Sequence, residues 1–264
     1  MLLDTHAHLD FPDYANDLPE VLLRAEAAGV SRFITISTSL EGSARAVALA
    51  EKYPQVHASI GVHPCYVDDS PEDIMPPLRE LAAHPSVVAI GETGLDYHRP
   101  AQDVATEAGR ANRARQAVFF EQQLELALET RLNVVVHQRD SWDDTLSILR
   151  PYSGRLRAVF HCFGGSLEQA HTLLDLGFNV SFTGIITFKN AAVARETATK
   201  LPRGSFFLET DCPFLAPAPH RGQRCEPAHT RITAEFLATL RNESIETLAE
   251  HTSAAASDFF RRSV

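Results

Sequence analysis

Nothing in this chain pairs its cysteines. Cys65, Cys162, Cys212 and Cys225 stand singly, without a C-x-x-C spacing, which argues against a zinc knuckle and leaves no disulfide framework, so reduced thiols are expected. Long apolar runs are also missing: no window approaches the ~18 uninterrupted apolar residues that a membrane span needs. No basic stretch followed by an apolar one opens the chain as a secretory signal would, and a cytoplasmic protein that does not enter a membrane is expected. Positive charge is scarce, with 24 Lys and Arg against 34 Asp and Glu and a net charge of −10, which disfavours a broad basic surface gripping long nucleic acid. A local cationic site stays open, because carboxylates that hold a metal inflate the negative count. No Gly-x-Gly-x-x-Gly follows the first predicted strand and no Gly-rich loop ends in Gly-Lys-Ser/Thr, so nucleotide-binding folds lack local support.

What is present is alternation. Short β-branched runs at Leu2 to His6, Arg32 to Ser37, Val56 to Val62, Val87 to Glu92, Asn133 to His137, Ala158 to His161, Asn179 to Phe182 and Phe206 to Asp211 read as strands. Amphipathic stretches between them read as helices, among them Leu18 to Ala28, Pro71 to Ala83, Asn112 to Thr130 and Pro227 to Leu240, with a last helix from Ile245 to Phe260. A polar segment from His98 to about Arg110 reads as a long loop. Eight such units predict an α/β fold, a (β/α)8 TIM barrel in one domain over residues 1–264, with a doubly wound open sheet as the alternative. His6, Glu92, His137, His161 and Asp211 all fall at strand C-termini, and only a closed barrel gathers five such ends around one mouth.

Within Leu3-Asp4-Thr5-His6-Ala7-His8-Leu9-Asp10, His6 and His8 project onto one strand face and can share a metal ion. Imidazole and carboxylate together suit zinc, manganese, iron or magnesium. Six candidates, His6, His8, Glu92, His137, His161 and Asp211, are too many for one four-coordinate ion that keeps a water, so two divalent ions are expected. Glu92 is the candidate bridge, with His6, His8 and Asp211 completing one site and His137 and His161 the other. Such a pair, ~3.5–4 Å apart, can share a hydroxide and clamp both oxygens of an ester, which implies hydrolysis.

Asp4-Thr5-His6-Ala7-His8-Leu9-Asp10, Gly61-Val62-His63-Pro64, Gly91-Glu92-Thr93-Gly94-Leu95-Asp96-Tyr97, His161-Cys162-Phe163-Gly164-Gly165 and Glu209-Thr210-Asp211-Cys212-Pro213-Phe214-Leu215 occur in this order. Together with Arg221-Gly222-Gln223-Arg224 they resemble the TatD family of metal-dependent deoxyribonucleases, a branch of the amidohydrolase-like barrels. The resemblance implies a TIM barrel, divalent metal (Mg, Mn or Zn), and hydrolysis of DNA phosphodiesters, often from a 3′ end. It also implies metal-binding roles for the same six residues. Cys65, Gln138 and Cys225 depart from the family pattern, and the segment after Tyr97 is longer than usual, which bears on substrate preference and not on the ligands.

Other residues have less determined roles. His63 follows a strand and is a candidate to touch a leaving phosphate. Asp4 is expected on the face of His6, where it would orient a ligand, and Glu209, on the face of Asp211, is either support or a base for the attacking water. Arg139, Arg221 and Arg224 lie beyond strand ends where guanidinium groups hold phosphate. Phe163 and Phe214 are expected to serve as apolar rim packing, with stacking on a base as the alternative. The expected substrate is a DNA end or single strand, the alternative a small carboxylic ester or amide, including an aminoacyl ester. Oligomeric state is not readable.

Overall fold

Eight short strands, each followed by a helix, run parallel in sequence order. In the computed structural model, which describes residues 1–98 and 103–261, they are β1 (Leu2–Ala7), β2 (Val30–Ile36), β3 (Val56–Ile60), β4 (Val87–Asp96), β5 (Asn133–Arg139), β6 (Ala158–Phe160), β7 (Asn179–Phe182) and β8 (Phe206–Leu208). The helices are α1 (Leu18–Ala27), α2 (Leu40–Lys52), α3 (Met75–Ala82), α4 (Glu107–Thr130), α5 (Trp142–Leu149), α6 (Leu167–Asp175), α7 (Ala192–Lys200), α8 (Thr230–Arg241) and α9 (Ile245–Phe259). The eighth strand returns to the first just past its own end, through a parallel bridge between Ala7 and Cys212. There the Asp211 N–H donates to the His6 carbonyl and the His8 N–H to the Cys212 carbonyl, both at 2.8 Å. This is the (β/α)8 TIM barrel, and no helix among the described residues is long and apolar enough to cross a membrane.

Asp4 fastens that seam. Its carboxylate accepts from the Thr210 N–H at 3.0 Å and the Thr210 hydroxyl at 2.7 Å, standing in for a ladder rung. The β1–β2 ladder slips between Asp4 and Ala7, so strict alternation does not carry from Asp4 to His6, and Asp4 meets His6 at its backbone, accepting from the His6 N–H at 3.2 Å. Burial pushes the Asp4 carboxyl up to about 7 against these hydrogen bonds.

Strands buried on both faces need apolar residues on both, and the core accordingly divides in two. Leu2, Phe33, Val56, Val134 and Phe206 pack outward among the helices, whereas Leu3, Ile34, Val88, Val135, Val159 and Phe207 come from six strands and meet inside the barrel. Phe259 and Phe260, closing α9, lie 5.2 and 6.1 Å from the Phe207 ring and cap this inner core. In β4, β5 and β6 the inner residues Val88, Val135 and Val159 precede Glu92, His137 and His161, which leaves the C-terminal ends for polar groups.

Several boundaries differ from expectation, three of them for identifiable reasons. β4 continues past Glu92 to Asp96, because Gly94, readable as a turn, instead permits close approach of β5: at φ +137° any Cβ there would collide with the His137 carbonyl. α3 starts at Met75, not Pro71, since an earlier start would place Pro76 and Pro77 in the second turn, where their missing N–H groups are needed. α4 starts at Glu107, where the Thr106 hydroxyl accepts from the Gly109 N–H at 2.9 Å; its first turns are polar and invisible to apolar periodicity. Of the long loop expected over 98–110, residues 99–102 lie outside the described residues. α8 likewise begins at Thr230, after a 3-10 turn at Pro227–His229.

Candidate metal centre

Glu92 sits at the middle of the barrel mouth, 2% exposed, with its two carboxylate oxygens facing two sets of imidazoles. Its approach depends on Gly91, whose φ of +137° places the backbone where a Cβ would stand 2.5 Å from the Val135 carbonyl oxygen. On one side Oε2 lies 3.4 Å from His6 Nε2 and 3.9 Å from His8 Nε2, and Asp211 Oδ1 lies 3.6 and 3.3 Å from the same two nitrogens. On the other side Oε1 lies 2.8 Å from His137 Nδ1 and 2.7 Å from His161 Nε2, which are 3.2 Å apart. All six strand-end candidates therefore converge. Asp211 and Cys162, the latter directly after His161, hold left-handed φ values of +62° and +49°, a conformation uncommon outside glycine.

The donor set fits a cation. Ligand atoms around an ion with ~2.1 Å bonds in a tetrahedron stand about 3.4 Å from each other, the spacing found around His6, His8, Glu92 and Asp211. Both ring nitrogens of fully buried His6 lack a hydrogen-bond partner among the described residues, a costly state unless something else engages the lone pair. His8 donates Nδ1–H to the Ile36 carbonyl at 2.9 Å, which leaves the Nε2 lone pair aimed at the centre. In His137 the Nε2–H donates to Asp96 Oδ2 at 3.1 Å and frees Nδ1 in the same way.

His63 is built the opposite way. Its Nε2 stands 3.6 Å from Glu92 Oε1, close enough to belong to the same donor group, yet its Nδ1 accepts from the Cys65 N–H at 3.0 Å. The neutral ring then carries its hydrogen on Nε2 and presents a donor, not a lone pair. Burial holds this imidazole down to about 3, with Glu92 opposing, so it is neutral at physiological pH.

Glu209 lies behind the site. It accepts from the Cys162 N–H at 2.7 Å and the Thr5 hydroxyl at 3.1 Å and stands 3.7 Å from His161 Nδ1, a placement suited to holding that ring instead of taking a proton from water. Burial opposes ionisation of Glu92, Asp96, Glu209 and Asp211, but the surrounding imidazoles outweigh it and hold all four carboxyls below their ordinary values. His161 answers them: burial disfavours its charge, yet Glu92, Glu209 and Asp211 raise its pKa well above 6.5.

Above the centre opens a cavity of about 1090 Å³. Arg139 lines it, as expected. Arg224 does not: its guanidinium is held by Asp17 at 2.6 Å and Glu226 at 2.8 Å, partners that nothing in the linear sequence connects to it. Arg221 packs over the Phe188 ring at 4.4 Å, also away from the cavity lining. Phe163 is buried in the core, whereas Phe214 is exposed on the rim. Several cavity residues were missed by sequence reasoning, Asp96 and Arg113 among them. Asp96 was visible only as part of a quoted motif, and Arg113, 3.8 Å from the Tyr97 ring, sits in the polar first half of α4 with no distinguishing signal.

A barrel carrying such a histidine and carboxylate cluster at its C-terminal mouth is a metal-binding barrel in architecture. Residues 3–261 match the family described as TatD related DNase. The metal-dependent hydrolase YabD of Bacillus subtilis (strain 168) is 38% identical over 264 residues, covering 99% of each chain. The metal-dependent hydrolase YcfH of Escherichia coli (strain K12) is 40% identical over 255 residues, 95% of this chain and 92% of the other. The crystal structure of YJJV, a TatD homolog from Escherichia coli K12, superposes with a TM-score of 0.90 at 32% identity, covering 98% of this chain and 97% of that one. The chain belongs to the TatD family of metal-dependent hydrolases.

Proposed function

We propose that the protein is a deoxyribonuclease that hydrolyses phosphodiesters at single-stranded or frayed DNA ends, from the 3′ end, with two divalent ions (Mg, Mn or Zn) held at the Glu92 centre. The observation that carries this reading is the division of the Glu92 carboxylate between two clusters of ring nitrogens. Charge supports the number: buried Glu92, Asp96 and Glu209 and partly buried Asp211 bring four negative charges, which two divalent cations would balance. His6, His8 and Asp211 would hold one ion and His137 and His161 the other, with Glu92 between them, and the chemistry such ions would supply is electrostatic stabilisation of a displacement at phosphorus. His63 offers a neutral N–H to an oxygen of the scissile group. Arg113 and Arg139 meet phosphate charge in the cavity, while Asp140, Asp143 and Asp144 on the same lining repel a longer run of phosphates, which favours an end over a long duplex. Reduced thiols at Cys162, Cys212 and Cys225 fit action in the cytoplasm.

The test is elemental analysis of the purified protein beside degradation of a dye-labelled single strand, with and without chelator and with either end blocked. Metal-dependent shortening stopped by a 3′ block supports the reading. Bound metal without any DNA cleavage sinks it. The three rim aspartates favour a second reading, hydrolysis of a small ester or amide bearing a positive group, such as an aminoacyl ester, which the same preparation tests directly.

A further inference from the structure

Of the large apolar side chains exposed among the described residues, two line the cavity and both are aromatic: Phe214, 51% exposed, and Tyr66, 40% exposed. Each is tied to the centre by one tight turn. The Phe214 N–H donates to the Asp211 carbonyl at 3.0 Å, and the Tyr66 N–H donates to the His63 carbonyl at 2.9 Å. The Phe214 ring lies 6.2 Å from that of His8, which belongs to the Glu92 Oε2 side. The Tyr66 ring lies 6.2 Å from that of His63, which faces Oε1. The two rings thus flank opposite halves of the centre. Phe11, stacked on His8 at 4.8 Å, meets the Phe214 ring edge-on at 6.0 Å and steadies it from the protein side.

A phosphodiester in DNA has the same layout, a phosphorus with one nucleoside on each side, and every nucleobase has a π face that stacks on an aromatic ring irrespective of sequence. We propose that Phe214 and Tyr66 are stacking platforms for the two nucleosides that flank the scissile phosphate, so that the site takes an unpaired dinucleotide step. This rests on the phosphodiesterase reading above. Stacking on either ring requires bases splayed away from each other, which a paired duplex does not offer. The platforms select for single-stranded substrate without selecting its sequence.

The experiment uses the full chain loaded with Mn²⁺ and short single-stranded oligonucleotides, either intact or with a tetrahydrofuran abasic unit on one or the other side of the scissile phosphate. On intact substrate, Phe214→Ala and Tyr66→Ala should each raise KM by ~10-fold, leave kcat within about threefold, and keep metal content and Tm. Phe214→Trp and Tyr66→Phe should restore KM, and Phe214→Leu should not. An abasic unit on one side should erase the effect of one alanine variant, and an abasic unit on the other side the effect of the second. The proposal is overturned if the alanine variants match wild type, if leucine serves as well as tryptophan, or if the KM effects persist undiminished on both abasic substrates. If wild type cleaves no oligonucleotide while hydrolysing bis(p-nitrophenyl) phosphate or a carboxylic ester, the nuclease reading itself fails and takes the platforms with it.

Discussion

Replacing His63 separates two ways in which an imidazole can serve this centre. Its Nε2 lies 3.6 Å from Glu92 Oε1, a distance compatible with ligation, but the Cys65 N–H occupies Nδ1 and the ring is left with a hydrogen on Nε2. As a donor, its removal should leave metal content unchanged and lower turnover by ~10²–10³, or about 2.7–4 kcal/mol, the scale for losing one positioned donor at a developing charge. His63→Gln, whose amide N–H reaches a similar place, should recover part of that loss. Because burial holds the ring down to about 3, the acid limb of the activity profile should stay where it is in wild type. The assay is kcat at saturating metal for His63→Ala and His63→Gln, with metal counted per chain by elemental analysis. Loss of one ion per chain, or restoration of activity by excess metal, would show that the ring ligates; a fall of less than threefold would show that it does neither job.

Three further outcomes are expected. Glu92→Gln should lower turnover by ~10³ or more with an unchanged circular dichroism spectrum, since an amide cannot serve both clusters; a tenth of the activity remaining would refute the bridge. Asp96→Asn should weaken metal binding by about 10–100-fold, because an amide N–H facing His137 Nε2 favours the tautomer whose Nδ1 cannot ligate; metal titration of the purified variant checks it. In metal-free protein the raised His161 pKa stabilises the fold below 6.5, a contribution lost as pH climbs through the raised value. A cation must displace that proton, so metal affinity, and the rise in Tm on adding metal, should grow from pH 6 to 8; a larger metal-induced rise at pH 6 would contradict the linkage.

The barrel and the convergence of six candidate residues were legible because imidazoles and carboxylates are uncommon at places where strands otherwise end in turn residues. Recurrence at a strand's end survives the loss of all three-dimensional information. Other features do not. The His63 tautomer depends on one backbone hydrogen bond to Cys65, and the Arg224 network joins residues on α8's approach and before α1, so no local pattern distinguishes Arg224 from a phosphate-holding arginine. Asp4 shows how alternation misleads when a ladder slips by one residue. The start of α4 depended on a single cap, Thr106, hidden within a polar run.

The seam held by Asp4 and Thr210 joins residues 206 positions apart, and the same closure brings His6 and His8 to Asp211. On a ribosome adding ~5–20 residues per second, the first strand waits on the order of 10–40 s for its partner. Throughout that interval β1 is an open edge, with His6 in it and His8 just past its end still lacking Asp211. Glu92, His137 and His161 are made in the meantime, but the ring of strands that would draw them together is still unfinished. A chain released early therefore has the parts of a hydrolase without its reaction, and catalytic competence arrives only with the last strand.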